Sequence, residues 1–345
     1  MIKIGVDANG GDFGVNTTVP GSMRAIQMFK DIEIVLYGDE NKIKPLLTNN
    51  ERISIVHTEV TMDMGEHNPV HAVRTMKDSS LDMVMYACKR GEVDCVVTSG
   101  PTQCVIMASH LIVRRLQQMD RVALCPLIPN YDGKTRLILD VGANVELKPE
   151  HIGQFAIFAT VAAEKILGYK NPSVGLLNIG SEPGKGREFE QATYDYLSNL
   201  KNINFKGNVE PNQIIDCPTD IVVTDGFTGN IAIKTLEGTA KTMGKMLKDE
   251  IKSSVGGKIG YLFMRKNIKR FAKRMDTKEV GGAMIFGVSA PVVKAHGNSD
   301  PIAFSSAIRQ ARLMVQENLI ENVVSALPKD ETNEWFRNIR RKNWI

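Results

Sequence analysis

The chain has 345 residues, 43% hydrophobic and 24% charged, a balance that supports one large core or two coupled lobes and excludes disordered, fibrous and repeat classes. No stretch reaches the roughly 18 uninterrupted apolar residues that cross a bilayer, and Met1 to Gly5 runs into a strand pattern without a basic leader, so the expected compartment is the cytoplasm. The net charge of +4 is uneven: Lys258, Arg265, Lys266, Lys269, Arg270, Lys273 and Arg274 fall together, Arg337, Arg340, Arg341 and Lys342 lie in the last eleven residues, and the rest is mildly acidic.

Along the chain, ten short apolar runs alternate with helical patterns: "IKIGVDA", "IEIVLYG", "ISIVHT", "DCVVTSG", "RVALCPL", "RLILDVG", "SVGLLNIG", "DIVVTDG", "GGAMIFGV" and "PVVKAHG". Continuous Val/Ile/Leu runs mark strands covered on both faces, and their alternation with helices predicts an α/β fold with a doubly wound, mostly parallel sheet. One intervening segment, "PEHIGQFAIFATVAAEKILG", has helical spacing, with Pro149 at its start and Gly168 at its end. Cys88, Cys95, Cys104, Cys125 and Cys217 form no paired motif and read as reduced, buried thiols, and no His/Cys cluster reads as a metal site.

Five runs end in small polar clusters: "DANGGD" (7–12), "TSGPTQ" (98–103), "DVGAN" (140–144), "NIGSEPGKG" (178–186) and "TDGFTGN" (224–230). In an open parallel sheet the strand carboxyl ends share one edge where ligands bind, so these clusters are expected to converge on one site. Glycine turns that open helices suit an oxyanion such as phosphate. Nucleotide motifs fail: "GSEPGKG" has one residue too few for a P-loop, and Gly5 is not followed by the dinucleotide fingerprint. A sixth cluster, "KAHGNSD" (294–300), brings Lys294, His296 and Asp300 into the turn that opens a helix near Pro301, with Asn298 and Ser299 as expected caps.

These segments, together with "FKGNVE", "VVTDGFTGNIAIKTLEG" and "VGGAMIFGVSAPVVKAHG", resemble in unbroken order, over roughly residues 1–325, the PlsX-type phosphate acyltransferases of bacterial phospholipid synthesis. The resemblance implies transfer of a long fatty acyl group from acyl carrier protein to inorganic phosphate. A membrane glycerol-3-phosphate acyltransferase then consumes the acyl phosphate. It also implies a homodimer without metal or nucleotide cofactor, and a fold similar to isocitrate and isopropylmalate dehydrogenases and to phosphotransacetylase. Two positions depart from the family pattern: Asn9 replaces a methionine, and Gly100-Pro101-Thr102-Gln103 replaces a "GNTG" turn, with Pro101 unable to offer an N–H.

Phosphate is itself an anionic nucleophile and a pantetheine thiolate leaves readily, so no covalent enzyme intermediate is needed, and no G-x-S-x-G elbow occurs. The catalytic candidates are His296, Lys185, Lys294 and Asn230. The candidates for holding phosphate or the acyl group are Asp7, Gly10, Gly11, Asp12 and Gly100 on the early turns. Gly142, Ala143, Asn144 and Asn178 follow, then Gly226, Thr228, Gly229, Ser299 and Asp300. Like charges repel, so Asp7, Asp12, Asp140 and Asp225 are expected to orient donors rather than touch phosphate. A coenzyme A-dependent phosphotransacetylase of similar fold is the alternative enzyme.

Residues 1–330 read as one catalytic domain from which a basic amphipathic segment at about 240–278 protrudes. In "KIGYLFMRKNIKRFAKRM" (258–275), Met264, Ile268, Phe271 and Met275 share one helix face and two basic rows cover the other. That pattern suits an acidic carrier protein, an anionic membrane surface or a dimer partner. Residues 331–345 form a basic tail with Trp335 and Trp344, the composition of an interfacial anchor, so peripheral attachment to the inner membrane face is expected. No nucleic-acid motif accompanies these charges.

Overall fold

The computed structural model describes residues 1–48, 51–274 and 281–328, without the side chains of 269 and 272–274. All ten apolar runs form strands, and two further strands appear. In chain order they are β1 (Ile2–Asp7), β2 (Ile32–Gly38), β3 (Ile53–His57), β4 (Cys95–Thr98), β5 (Ala123–Cys125) and β6 (Leu127–Pro129). Then come β7 (Thr135–Leu139), β8 (Ser173–Leu177), β9 (Asn204–Val209), β10 (Ile221–Val223), β11 (Ala283–Phe286) and β12 (Val292–Lys294).

The expected single sheet is in fact two. A seven-stranded sheet has the order β3-β2-β1-β4-β12-β11-β5, and a five-stranded sheet the order β6-β7-β10-β8-β9. Pairing is parallel except around β11 and at β6, so the α/β, mostly parallel character holds in both. The chain crosses from one sheet to the other at Pro126, between β5 and β6.

Alternating residues of each strand enter two hydrophobic clusters on opposite sheet faces, which is why the runs are apolar throughout. On one face of the large sheet the helices Val15–Met28 and Pro301–Gln316 pack on each other; the Ser80–Lys89 helix covers the other. The Pro149–Leu167 helix, bounded as its sequence predicts, lies on the small sheet, and its Phe158 stacks on Phe286 of β11 with centroids 4.2 Å apart. One core therefore runs through both sheets. All five cysteines are free and buried.

The topology groups the turns. β1, β4 and β12 are parallel neighbours, so the turns starting at Asp7, Thr98 and Lys294 form one rim. β7, β10 and β8 are parallel neighbours, so the turns after Leu139, Val223 and Leu177 form a second. The two rims face each other: the Gln103 amide donates to the Gly142 carbonyl at 3.4 Å, and His296 Nε2 lies 3.8 Å from Glu237 Oε1 on the helix Gly226–Ser253 that leaves the small rim. Beyond Ile233 this helix and its successor, Val255–Arg274, contain no buried residue among those described.

Gly229 is where the helix Gly226–Ser253 meets the small sheet, and a Cβ there would overlap the Asp140 carbonyl oxygen. Gly229→Ala is expected to lower the unfolding free energy by about 2 kcal/mol in urea titrations. Gly238, with nothing within 4 Å of its Cβ position in the same helix, is the control. There an alanine should stabilise by about 0.5–1 kcal/mol.

Candidate active site

The large rim is organised by Asp7, the buried last residue of β1. Its Oδ1 accepts the Ser80 hydroxyl and its Oδ2 the Thr98 hydroxyl, both at 2.6 Å, and the Gly10 amide donates to the same carboxylate. The Thr98 hydroxyl in turn accepts the Gly100 amide at 2.9 Å. Burial pushes the Asp7 carboxyl up, and these donors oppose the shift. The amides of Gly10 and Gly100, expected to face a ligand, are thus engaged within the rim.

Asn9 ties this turn to its neighbours, its amide donating to the Thr58 carbonyl at 3.1 Å and its Oδ1 accepting the Asp39 amide at 3.0 Å. The departure from methionine is therefore a structural cross-link. Pro101 caps the helix Thr102–Ala108 with φ −62°, one residue before the helical start.

Lys294 ends β12 and is only 8% exposed. Its Nζ donates to the Ala295 carbonyl at 2.9 Å, and burial pulls its pKa down to about 8 against the opposing charge of Asp12. The Asp12 amide donates to the Gly297 carbonyl at 2.8 Å, locking the 7–12 turn to the one carrying His296. Gly11 packs there too, against Ser99 and the Gly297 carbonyl. The His296 side chain is 54% exposed and looks across the cleft. Ser299 is buried, its amide turned to the His296 carbonyl and its own carbonyl to the Thr17 hydroxyl. Asp300, not Asn298 or Ser299, is the N-cap of Pro301–Gln316, accepting the Ala303 amide at 2.9 Å. The helix thus engages Asp300 through Oδ1.

The small rim repeats the device. Asp140 is fully buried, and its Oδ1 accepts the amides of Leu124, Gly142 and Ala143 at 3.0–3.2 Å. Its Oδ2 takes the Asn144 amide and side chain, both at 2.8 Å. The expectation that the amides of Gly142, Ala143 and Asn144 hold phosphate is thereby corrected: an acid in the same turn uses them. Gly142 has φ +136°, and Asn230 Nδ2, which donates to the Val141 carbonyl at 3.0 Å, fills the space beside its Cα.

Asp225 caps the 28-residue helix Gly226–Ser253 through the Thr228 amide at 2.8 Å, with the Thr228 hydroxyl at 2.7 Å. Gly226 packs against the Asn144 backbone, so the positive helix end sits on this rim. The Arg187 guanidinium bridges Asp225, at 3.0 Å, and Glu190. Sequence reasoning missed it, although the Arg187-x-x-Glu190 spacing at a helix start signalled an ion pair. Asn178 is buried and donates its amide to the Lys185 carbonyl and Asn208 Oδ1, which shapes the 179–186 loop. Lys185 Nζ lies 3.9 Å from Glu182 Oε2 in that loop. Lys294 and His296 on the large rim and the helix terminus on the small rim are groups that can attract an anion between the rims. Among the described residues no cluster of His, Cys, Asp and Glu could hold a metal ion.

The profile of a family described as "Fatty acid synthesis protein" matches residues 2–322. The chain belongs to this family. A "Phosphate acyltransferase" of Acholeplasma laidlawii (strain PG-8A) is 45% identical over 329 residues, which is 95% of this chain and 98% of that relative. One of Bacillus pumilus (strain SAFR-032) is 43% identical over 333 residues, 96% and 100% respectively. A solved branched-chain phosphotransacylase from Enterococcus faecalis V583 superimposes with a TM-score of 0.56 at 13% identity, over 91% of this chain and 100% of its own, which shows a shared fold. This member of the fatty acid synthesis family is an acyltransferase.

A lysine whose folded pKa is pulled to about 8 carries its charge below that pH and loses it above. For acyl transfer to phosphate, loss of this charge should therefore make kcat/KM for phosphate fall more steeply above about pH 8. Lys294→Met should lower kcat/KM on the order of 10²–10³-fold and remove that limb, and Lys294→Arg should move it to higher pH. Initial rates from pH 6 to 9.5 check this.

Proposed function

We propose that the enzyme transfers a long-chain fatty acyl group from the thioester of acyl carrier protein to inorganic phosphate, and that the acyl phosphate passes to a membrane glycerol-3-phosphate acyltransferase. The reaction asks for positioning and charge stabilisation rather than covalent catalysis. The Lys294 ammonium holds phosphate, and the helix end at Gly226 adds a positive potential. His296, exposed and facing across the cleft, donates to the oxyanion or to the departing thiolate.

The observation that carries the long-chain reading is apolar surface around the charged rims. Phe13 beside Asp12, Phe227 next to Gly226 and Ile231 one turn further are all more than half exposed, and Met64 reaches the Gly297 turn. A two-carbon acyl group has no use for that surface; a fatty chain covers it. Phosphate with palmitoyl carrier protein should yield acyl phosphate, and Phe227→Ser with Ile231→Ser should raise KM for the long-chain donor by about tenfold. Turnover with acetyl coenzyme A alone would establish the phosphotransacetylase reading, and no turnover with either donor would contradict both.

The helix Val255–Arg274 supports peripheral attachment, carrier docking and pairing with a second copy of the chain. It exposes Leu262, Phe263, Met264 and Phe271 together with Arg265, Lys266 and Arg270, with Lys258 near its start. Lys269, Lys273 and Arg274 lie on the same helix, whereas Met275 and the Trp-containing tail fall outside the described residues. No helix among the described residues is long and apolar enough to cross a membrane. Co-sedimentation with anionic liposomes should drop when Arg265, Lys266 and Arg270 are changed to Glu. Equal partition of both proteins would remove the membrane from the list of partners.

A further inference from the structure

Beneath the large rim lies a second acid. Asp82, in the first turn of the Ser80–Lys89 helix, is fully buried, and neither of its carboxyl oxygens has a hydrogen-bond partner among the described residues. Ser80, two residues earlier, donates to Asp7. Both acids are buried, and the charge of Asp7 reaches Asp82 and works against its ionisation. Asp7, with Ser80, Thr98 and Gly10 aimed at it, is the one whose charge is compensated; Asp82, with no donor, is the one that keeps a proton.

We infer that Asp82 is a positioning residue for the large rim: protonated, it leaves Asp7 as the single buried charge gathering the 7–12 and 98–100 turns, and losing its proton loosens those turns and weakens phosphate binding. The inference rests on reading the rim as the phosphate site. Burial and the neighbouring Asp7 charge raise the Asp82 pKa to about 7.

On the packed elements burial raises the thiols and a phenol and lowers one imidazole. Burial holds Cys104 on the Thr102–Ala108 helix at about 11 and Cys88 on the same helix as Asp82 at about 12. Cys95 of β4 and Tyr37 of β2 are raised, and His110, in the turn after Ala108, is lowered toward its neutral form. Lys3, Glu33 and Lys89 sit at the far ends of their elements.

Calorimetry with inorganic phosphate alone tests this. The protonated fraction of Asp82 falls from about nine-tenths at pH 6 to about a quarter at pH 7.5, so Kd for phosphate dianion should rise about fourfold. Asp82→Asn, neutral throughout, should bind about four times more tightly than the unaltered protein at pH 7.5, with the contribution of Lys294 common to both. Ser80→Ala, which cuts the link to Asp7, should bind weakly already at pH 6 and show no further rise. An unchanged pH dependence in Asp82→Asn, or weaker binding by the same factor at every pH, overturns the inference. Phosphate binding that behaves as described without any acyl transfer overturns the proposed function and leaves the role of Asp82 standing.

Discussion

A buried carboxylate at the end of a central strand governs this molecule twice over. Asp7 closes β1 and Asp140 follows β7, both removed from water. A charge in that position is costly unless donors surround it, and turn amides and hydroxyls are the donors at hand. Asp7 collects Ser80, Thr98 and Gly10; Asp140 collects Leu124, Gly142, Ala143 and both groups of Asn144. Each acid thereby folds the turn beside it, and glycine is required where the chain passes close. A Cβ on Gly10 would strike the Asp7 carboxylate, and one on Gly142 would strike Asn230.

This arrangement decides what can hold an anion. With these turn amides drawn inward, the proposed anion site relies on the Lys294 ammonium, the His296 imidazole as a donor and the start of the helix Gly226–Ser253, two of them on one sheet and the third on the other. The proposed site depends on the two sheets sharing a core, through contacts such as Phe158 on Phe286, which keeps their rims opposed. Catalysis by juxtaposition needs that rigidity, since phosphate and thioester must meet in line.

Much of this was legible in the sequence. The ten apolar runs became strands because continuous Val/Ile/Leu segments have few other ways to be buried, and the 149–167 helix kept its punctuation at Pro149 and Gly168. The division into two sheets was not legible. The run "RVALCPL" contains β5 and ends on the first residue of β6, which lies in the other sheet, and the proline between them would have been excluded from a continuous strand. β9 was hidden by Gly207 and by polar residues along its length. The rim residues were identified by type, but the direction of their amides depends on which acid claims them, and no local pattern encodes that. Asp82 and Ser80 sit in an ordinary helix start and reach the site only through the packing of that helix on β1.

The account rests on one location for the anion, between the two rims. A crystal structure of the full chain grown with inorganic phosphate tests it most directly. Phosphate should lie within hydrogen-bonding distance of Lys294 Nζ, with the first turn of the helix Gly226–Ser253 on its opposite side. Phosphate found only along the basic face of the Val255–Arg274 helix, with the cleft between the rims holding none, would contradict the account.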